Sequence, residues 1–304
     1  MGRRRARPPL PQQGGLDAVW VRTPARVGAE PPPHATLAAF LRARLPERVP
    51  VDAWLADGRF VDADGAPISA HTPYTPATFV WFHKDAATDP EPDDLTVLHR
   101  DDRIVVVDKP HFLATTPRGT HVNASVLVKL RHQLGLPELT PAHRLDRLTA
   151  GVLLCTTGPA HRAAYQELFA QRATTKVYEA LAPALPHLAE PTTVRSHITK
   201  PRGSLQAIEL PDAEPNAETT ITLVEVRGQL GRYRLEPTTG RTHQLRVHLN
   251  ALGAPIVGDP LYPTVSDAPE DPSHPLRLVA RVLAFTDPVD STERRFTSAA
   301  PLAW

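Results

Sequence analysis

Apolar residues fall along this chain in short blocks, and their periodicity changes from block to block. Ile104-Val105-Val106-Val107, within the stretch Arg103 to Asp108, is unbroken, and Val152-Leu153-Leu154-Cys155 repeats that pattern. Continuous apolar runs of this length suit strands covered on both faces. Lys176-Val177-Tyr178-Glu179-Ala180-Leu181 instead alternates, which places Tyr178 opposite Val177 on a half-buried strand. Thr219 to Val226, Arg232 to Glu236 and the run at 279 to 285 predict three further strands. Helical spacing marks Val126, Leu127, Leu130 and Leu134, with Ser125 as cap and Gly135 as stop. A second helix near His161 to Arg172 turns Tyr165, Leu168 and Phe169 inward. A third carries Leu245, Leu249 and Leu252 on one stripe, capped by Thr242 and ended by Gly253. Strands and helices mix without a strict βαβ rhythm, so the expected fold is α+β with a mostly antiparallel sheet flanked by helices.

Upstream, Leu37, Phe40, Leu41 and Leu45 share a helix face, and a shorter helix follows around Val51, Trp54 and Leu55. Gly58 ends that helix, and Asp64-Gly65 suits a tight turn between short strands. Many of the 34 prolines fall in connectors, and Asp89-Pro90-Glu91-Pro92-Asp93-Asp94 reads as a solvated linker. The expected organisation is a basic, disordered arm over 1–30, a small module over 31–88, the linker over 89–94, and a large domain over 95–304.

Composition narrows the function classes. A hydrophobic content of 41% supports a core, and a lone cysteine, Cys155, excludes an internal disulfide. No run reaches the 18 or more apolar residues that span a membrane, and the basic start lacks the apolar stretch of a secretory signal. A soluble, cytoplasmic, monomeric protein is the expectation. The net charge is +1, yet residues 1–30 hold six arginines against two acidic residues, which leaves the remainder slightly negative. Any RNA-binding channel must therefore come from Lys109, Lys129, Arg131, Arg144, Arg147, Arg241 and Arg246 gathering on one face.

The chemistry concentrates in two segments. His143-Arg144-Leu145-Asp146-Arg147-Leu148-Thr149-Ala150-Gly151 sets a carboxylate between two arginines just before a buried strand. Opposite charge nearby favours the ionised carboxylate, which can then serve as a nucleophile or a base. The bland alternative is a solvated loop whose Asp pairs with its neighbours. The second segment runs from Thr239-Gly240-Arg241-Thr242-His243-Gln244-Leu245-Arg246-Val247-His248-Leu249 to Gly258-Asp259-Pro260-Leu261-Tyr262. No Gly-x-x-x-x-Gly-Lys loop or dinucleotide fingerprint is present. His243 and His248, five apart on a helix, point in different directions, so neither a metal nor a cofactor is expected.

These segments, in this order, resemble the RluA family of RNA pseudouridine synthases. The resemblance covers roughly residues 95 to 300, including Lys176-Val177-Tyr178 and the closing strand at 279 to 285. It implies that Asp146 is the catalytic carboxylate, that Arg246 contacts it, and that Tyr178 stacks on a flipped uracil. It further implies RNA contacts by Arg144, Arg147, Lys176, Arg241, His243 and Lys109, and a uridine in ribosomal or transfer RNA as substrate. The upstream helices and turn resemble the small alpha-L RNA-binding module of such enzymes, although Asp52 and Asp57 stand where that module usually carries Lys and Arg. Two departures concern the large domain: Leu148-Thr149-Ala150-Gly151 replaces Asp/Glu-Thr-Ser-Gly, and His-Phe-Leu-Ala-Thr-Thr-Pro follows Lys109-Pro110 in place of Gly-Leu-Val-Val-His. Two rival readings stay open: a non-catalytic RNA-binding protein of the same fold, and a hydrolase using Asp146 on a small substrate.

Overall fold

The computed structural model describes residues 8–25, 32–47, 49–84, 94–117 and 125–304. The chain divides into two compact units, Met1–Thr88 and Asp89–Trp304. Arg3, Arg4, Arg5, Arg7, Arg26 and linker residues 89–93 lie outside the described residues.

In the first unit, strand β1 (Val19–Arg22) precedes helices α1 (Leu37–Arg44) and α2 (Val51–Ala56) and strand β2 (Phe79–Phe82). Residues 19–22 correct the expectation of a disordered arm, because they pair antiparallel with Phe79–Phe82. Val80 and Phe82 face a core with Leu41, Trp54 and Phe60. Thr36 caps α1 by accepting from the backbone N–H of Ala39 at 3.2 Å. Asp52 is engaged by Arg42, 2.5 Å away, on the unit's surface.

The second unit begins with strands β3 (Thr96–Arg100) and β4 (Ile104–Lys109), helix α3 (Val126–Leu134), and strands β5 (Thr140–Pro141) and β6 (Ala150–Thr156). Helix α4 (Pro159–Ala170) follows, then strands β7 (Thr175–Pro183), β8 (Thr192–Ser196), β9 (Ile198–Thr199), β10 (Ile208–Glu209), β11 (Ala217–Arg227) and β12 (Leu230–Pro237). The unit closes with helix α5 (Gln244–Ala251) and strands β13 (Leu278–Thr286) and β14 (Glu293–Thr297).

Among the described residues the main sheet runs β3-β4-β6-β13-β7-β12-β11-β8, with β5 on β6 and β14 on β13. Only the β6–β13 pairing is parallel, so the sheet is mostly antiparallel. The uninterrupted apolar runs are explained by cover on both faces. Val105, Val107, Leu153 and Cys155 pack with α3 residues, whereas Ile104, Val106, Val152 and Leu154 pack with Tyr165 of α4. Burial pushes the Cys155 thiol up to about 12, which makes it a packing group.

Gly151 decides how β6 meets β13. Its φ is +116°, and an added Cβ would stand 2.2 Å from the carbonyl oxygen of Ala280. Only a residue without a side chain lets the two strands approach here, directly after the Asp146 loop. No helix among the described residues is long and apolar enough to cross a membrane.

Candidate active site

Asp146 lies on the loop between β5 and β6, with its side chain 35% exposed. Three side chains from the last residue of β4 and the segment after it hold that loop by its backbone. Thr115 donates to the carbonyl of Leu145 at 2.8 Å and accepts from the N–H of Leu145 at 3.1 Å. The His111 ring bonds the carbonyl of Leu148 at 2.6 Å. Lys109 Nζ donates to the carbonyls of Pro110, Leu113 and Arg147 at 2.9, 2.8 and 3.1 Å. At the other end, His143 accepts from the backbone N–H of Leu154 and stacks on Phe169. Burial pushes His143 down to about 3, so it stays an acceptor. The segment that departs from the family pattern is therefore the support of the carboxylate, which fixes a loop that carries no regular structure of its own.

Lys109 corrects its assignment as an RNA contact. Its side chain is 0% exposed, and burial pushes the ammonium down to about 7 against the opposing pull of Asp146. Three carbonyl acceptors call for three N–H donors, which only the protonated amine supplies.

Arg246 enters from α5, whose buried face carries Leu245 and Leu249 against β-sheet residues Tyr233, Leu235 and Leu278. The helix starts differently from the expectation. Thr242 is not the cap; His243 occupies that position in the left-handed region (φ +59°) with no side-chain cap bond. Gln244 does the work instead, accepting from Arg241 N–H and the Thr239 hydroxyl and donating to Glu218 and Thr219. The Arg246 guanidinium is 2% exposed and grips Asp259 in a two-pronged pair at 2.7 and 2.6 Å. Asp259 is itself 0% exposed, and it also accepts from the backbone N–H groups of Leu261 and Tyr262. Burial opposes the Arg246 charge, but the Asp259 bonds, then the charges of Asp259 and Asp146, outweigh it and raise its pKa. The ring of Tyr262 stands 5.2 Å from the guanidinium carbon. With its fork committed to Asp259, Arg246 presents Nη1 3.9 Å from Asp146 Oδ2. That is ion-pair distance without a hydrogen bond.

Tyr178 of β7 packs against both the α3-side and the α5-side cores, so the site opens where those two cores meet. Burial, and then the charge of Asp146, push its phenol up. Arg144, Asp146, Tyr178, Lys200, Arg241, His243 and Arg246 line one cleft of about 380 Å³, with Leu245 and Leu278 among its apolar walls.

Of the nine residues that the resemblance nominated, Asp146, Arg246, Tyr178, Arg144, Arg241 and His243 converge on this cleft. Three do not line it. Arg147 pairs with Glu270 and donates to the carbonyl of Phe112, a non-glycine residue at φ +62°. Lys176 donates to the carbonyl of Thr239 at 3.1 Å and braces the loop before α5, with burial pushing its amine down to about 8. Lys109 is the third. Arg131 of the wider cationic set is likewise buried, bonded to the carbonyl of Leu139, and Lys129 pairs with Asp94.

Sequence reasoning missed Lys200, which joins the cleft from the short β9–β10 hairpin with no local signal. It also gave no role to Asp259, although Gly258-Asp259-Pro260 lay within the segment singled out. Gly258 is the signal there: its φ is +76°, and a Cβ would sit 2.6 Å from the carbonyl of Pro275.

The arrangement joins a half-exposed carboxylate, a fixed cation beside it, an aromatic side chain and several cations at the rim. Such a set can act at the sugar–base junction of an extruded nucleotide.

Known proteins converge on the same reading. Residues 103–251 match the family model described as RNA pseudouridylate synthase. The dual-specificity RNA pseudouridine synthase RluA of Escherichia coli is 33% identical over 213 residues, 69% of this chain and 95% of that protein. Human pseudouridylate synthase RPUSD2 is 33% identical over 177 residues, 58% of this chain. The chain spans only 32% of that human protein's length. Among solved structures, human RNA pseudouridylate synthase domain containing 1 superposes with a TM-score of 0.57 at 25% identity, covering 70% of this chain and 87% of that one. On this identity and coverage the chain belongs to the RluA family of RNA pseudouridine synthases.

Proposed function

We propose that this chain converts a uridine of ribosomal or transfer RNA into pseudouridine, acting as a monomer in the cytoplasm without metal or cofactor. The observation that carries the reading is Asp146, held at the wall of a nucleotide-sized cleft 3.9 Å from a buried guanidinium, with Tyr178 lining the same space. The bond between uracil N1 and sugar C1′ breaks, the base turns, C5 joins C1′, and the proton lost from C5 is matched by one taken up at N1. Atoms and electrons balance within the nucleotide, so no external oxidant or energy source enters.

Each side chain has a physical task in that sequence. Extruding a base costs about a few kcal/mol, and stacking on Tyr178 returns roughly 1–3 kcal/mol. Asp146 supplies the carboxylate that acts on the nucleotide, as nucleophile or as base. Arg246 holds it in place by charge, and Asp259 in turn fixes Arg246. Arg144, Lys200 and Arg241 put cations at the rim where a polyanion must pass. The small first unit adds RNA contacts of its own in this reading, which its resemblance to the alpha-L module supports.

The test is pseudouridine sequencing of cellular RNA with and without the gene, followed by Asp146→Asn at the site found. Asp146→Asn is expected to abolish isomerisation while RNA affinity stays within a few-fold. Product formation by that variant at a rate comparable to the parent rules out the assignment of the carboxylate.

A further inference from the structure

His243 stands at the cleft in a backbone conformation that histidine seldom adopts (φ +59°). Non-glycine residues in the left-handed region are uncommon and persist where the surroundings impose them. What surrounds His243 also settles its hydrogen. Its Nδ1 lies 3.0 Å from the hydroxyl of Tyr262. That hydroxyl accepts from the backbone N–H of Ala207 at 2.8 Å and stands 2.9 Å from the carbonyl oxygen of the same residue.

A phenol has one hydrogen to give and two lone pairs to receive with. The carbonyl of Ala207 can only accept, so it takes that hydrogen. The remaining lone pair then faces His243 Nδ1, which must be the donor. With the proton on Nδ1, a neutral imidazole carries a bare lone pair on Nε2. Burial, reinforced by Arg246 and Lys200 and opposed by Asp146, holds the ring's pKa below its ordinary value, so the neutral form is the one present. Nε2 has no partner among the described residues and is not among the polar atoms sealed from solvent. It is therefore an open, uncharged acceptor in a cleft otherwise lined by the cations Arg144, Lys200, Arg241 and Arg246 and the Asp146 carboxylate.

We propose that His243 Nε2 accepts the N3–H of the extruded base and thereby selects uridine over cytidine. This rests on the reading of the cleft as the site of uridine isomerisation. While uracil is joined to its sugar, N3–H is the base's one edge donor, flanked by the acceptors O2 and O4. Cytosine presents a lone pair at N3, which meets the Nε2 lone pair head-on. An acceptor fixed by tautomer thus separates the two bases, because the wrong one leaves two lone pairs facing each other in a partly buried space. Tyr262 is the positioning residue: its hydroxyl, locked by Ala207, fixes the tautomer.

The test uses three synthetic stem-loop RNAs built around the uridine identified by sequencing, with uridine, cytidine or 3-methyluridine at that position. The full-length parent chain is expected to bind the uridine RNA at least tenfold more tightly than either of the others. Equal binding of all three by the parent, a measurement independent of any variant, overturns the proposal. His243→Gln offers either an oxygen or an amide hydrogen, so it is expected to bind uridine and cytidine RNAs within about threefold of each other. Tyr262→Phe keeps the imidazole but frees its tautomer, and the uridine preference is expected to fall in the same way. If both variants are folded by circular dichroism and retain the parent's preference, His243 is not the selector, while pseudouridine formation by the parent leaves the proposed function standing. If the parent forms no pseudouridine in the uridine RNA, both readings fall.

Discussion

The Arg246–Asp259 pair gives the strongest quantitative prediction. Both side chains are almost fully removed from solvent, and both guanidinium–carboxylate contacts are shorter than 2.8 Å. Breaking such a pair from one side leaves an uncompensated buried charge, at about 3–5 kcal/mol. Asp259→Asn keeps the shape and an oxygen for the N–H groups of Leu261 and Tyr262, yet removes the charge and turns an amide toward Arg246. For a unit of this size each kcal/mol shifts Tm by about 2–4 °C, so the expected loss is about 6–20 °C. Catalysis should fall for a separate reason. Among the described residues the one other carboxylate within ion-pair reach of Arg246 is Asp146, at 3.9 Å, and a released guanidinium closes on it and drags it from its working position. Misplacement of about 1 Å costs roughly 100-fold. The assays are thermal unfolding followed by circular dichroism and release of tritium from RNA labelled at uridine C5. Adding Arg246→Met to Asp259→Asn should restore most of the lost stability, since no charge is left buried, while activity does not recover. An Asp259→Asn variant that melts within 2 °C of the parent, or a double variant no more stable than the single one, refutes this account of the pair.

Gly151→Ala should destabilise the second unit by about 3–5 kcal/mol, because the new Cβ meets backbone and a φ of +116° strains any side chain; chemical unfolding of the variant checks it. Lys109→Met fills the same space without donors and should cost about 2–4 kcal/mol net, with kcat falling further than RNA affinity because the Asp146 loop loses a tether. Stability should also decline in mild acid. His248 is buried against Ser196 and Thr219 and burial pushes it down to about 4. The unfolded chain then binds the extra proton first, between its ordinary value near 6.5 and about 4, so stability is full above that window and is lost as pH falls through it. The contribution is about 2–3 kcal/mol by pH 4.5. His248→Gln should flatten that part of a denaturant-midpoint profile, and an unchanged slope counts against the buried-neutral state.

The elements were legible in the sequence because their causes are local. The runs at 104–107 and 152–155 became strands covered on both faces, and Ser125 capped α3 with its hydroxyl while Gly135 ended it in the left-handed region. Tyr178 alternates with Val177 in β7, and the stripe of Leu245 and Leu249 turned inward on α5. The segment that carries Asp146 and the helix that carries Arg246 were likewise readable, since residue order and spacing identify the family. Tertiary structure alone decided which charges meet. Lys109 beside a proline reads as a surface cation, yet folding closes three carbonyls around it from two separate loops. Arg246 was expected on Asp146 but divides its charge, with the hydrogen bonds going to Asp259. Lys200 reached the cleft through a hairpin that no periodicity marks. Backbone periodicity is set by each residue and its near neighbours, whereas a charge takes whichever partner the packed sheet brings within a few ångströms, and that distance exists only once the chain has closed on itself.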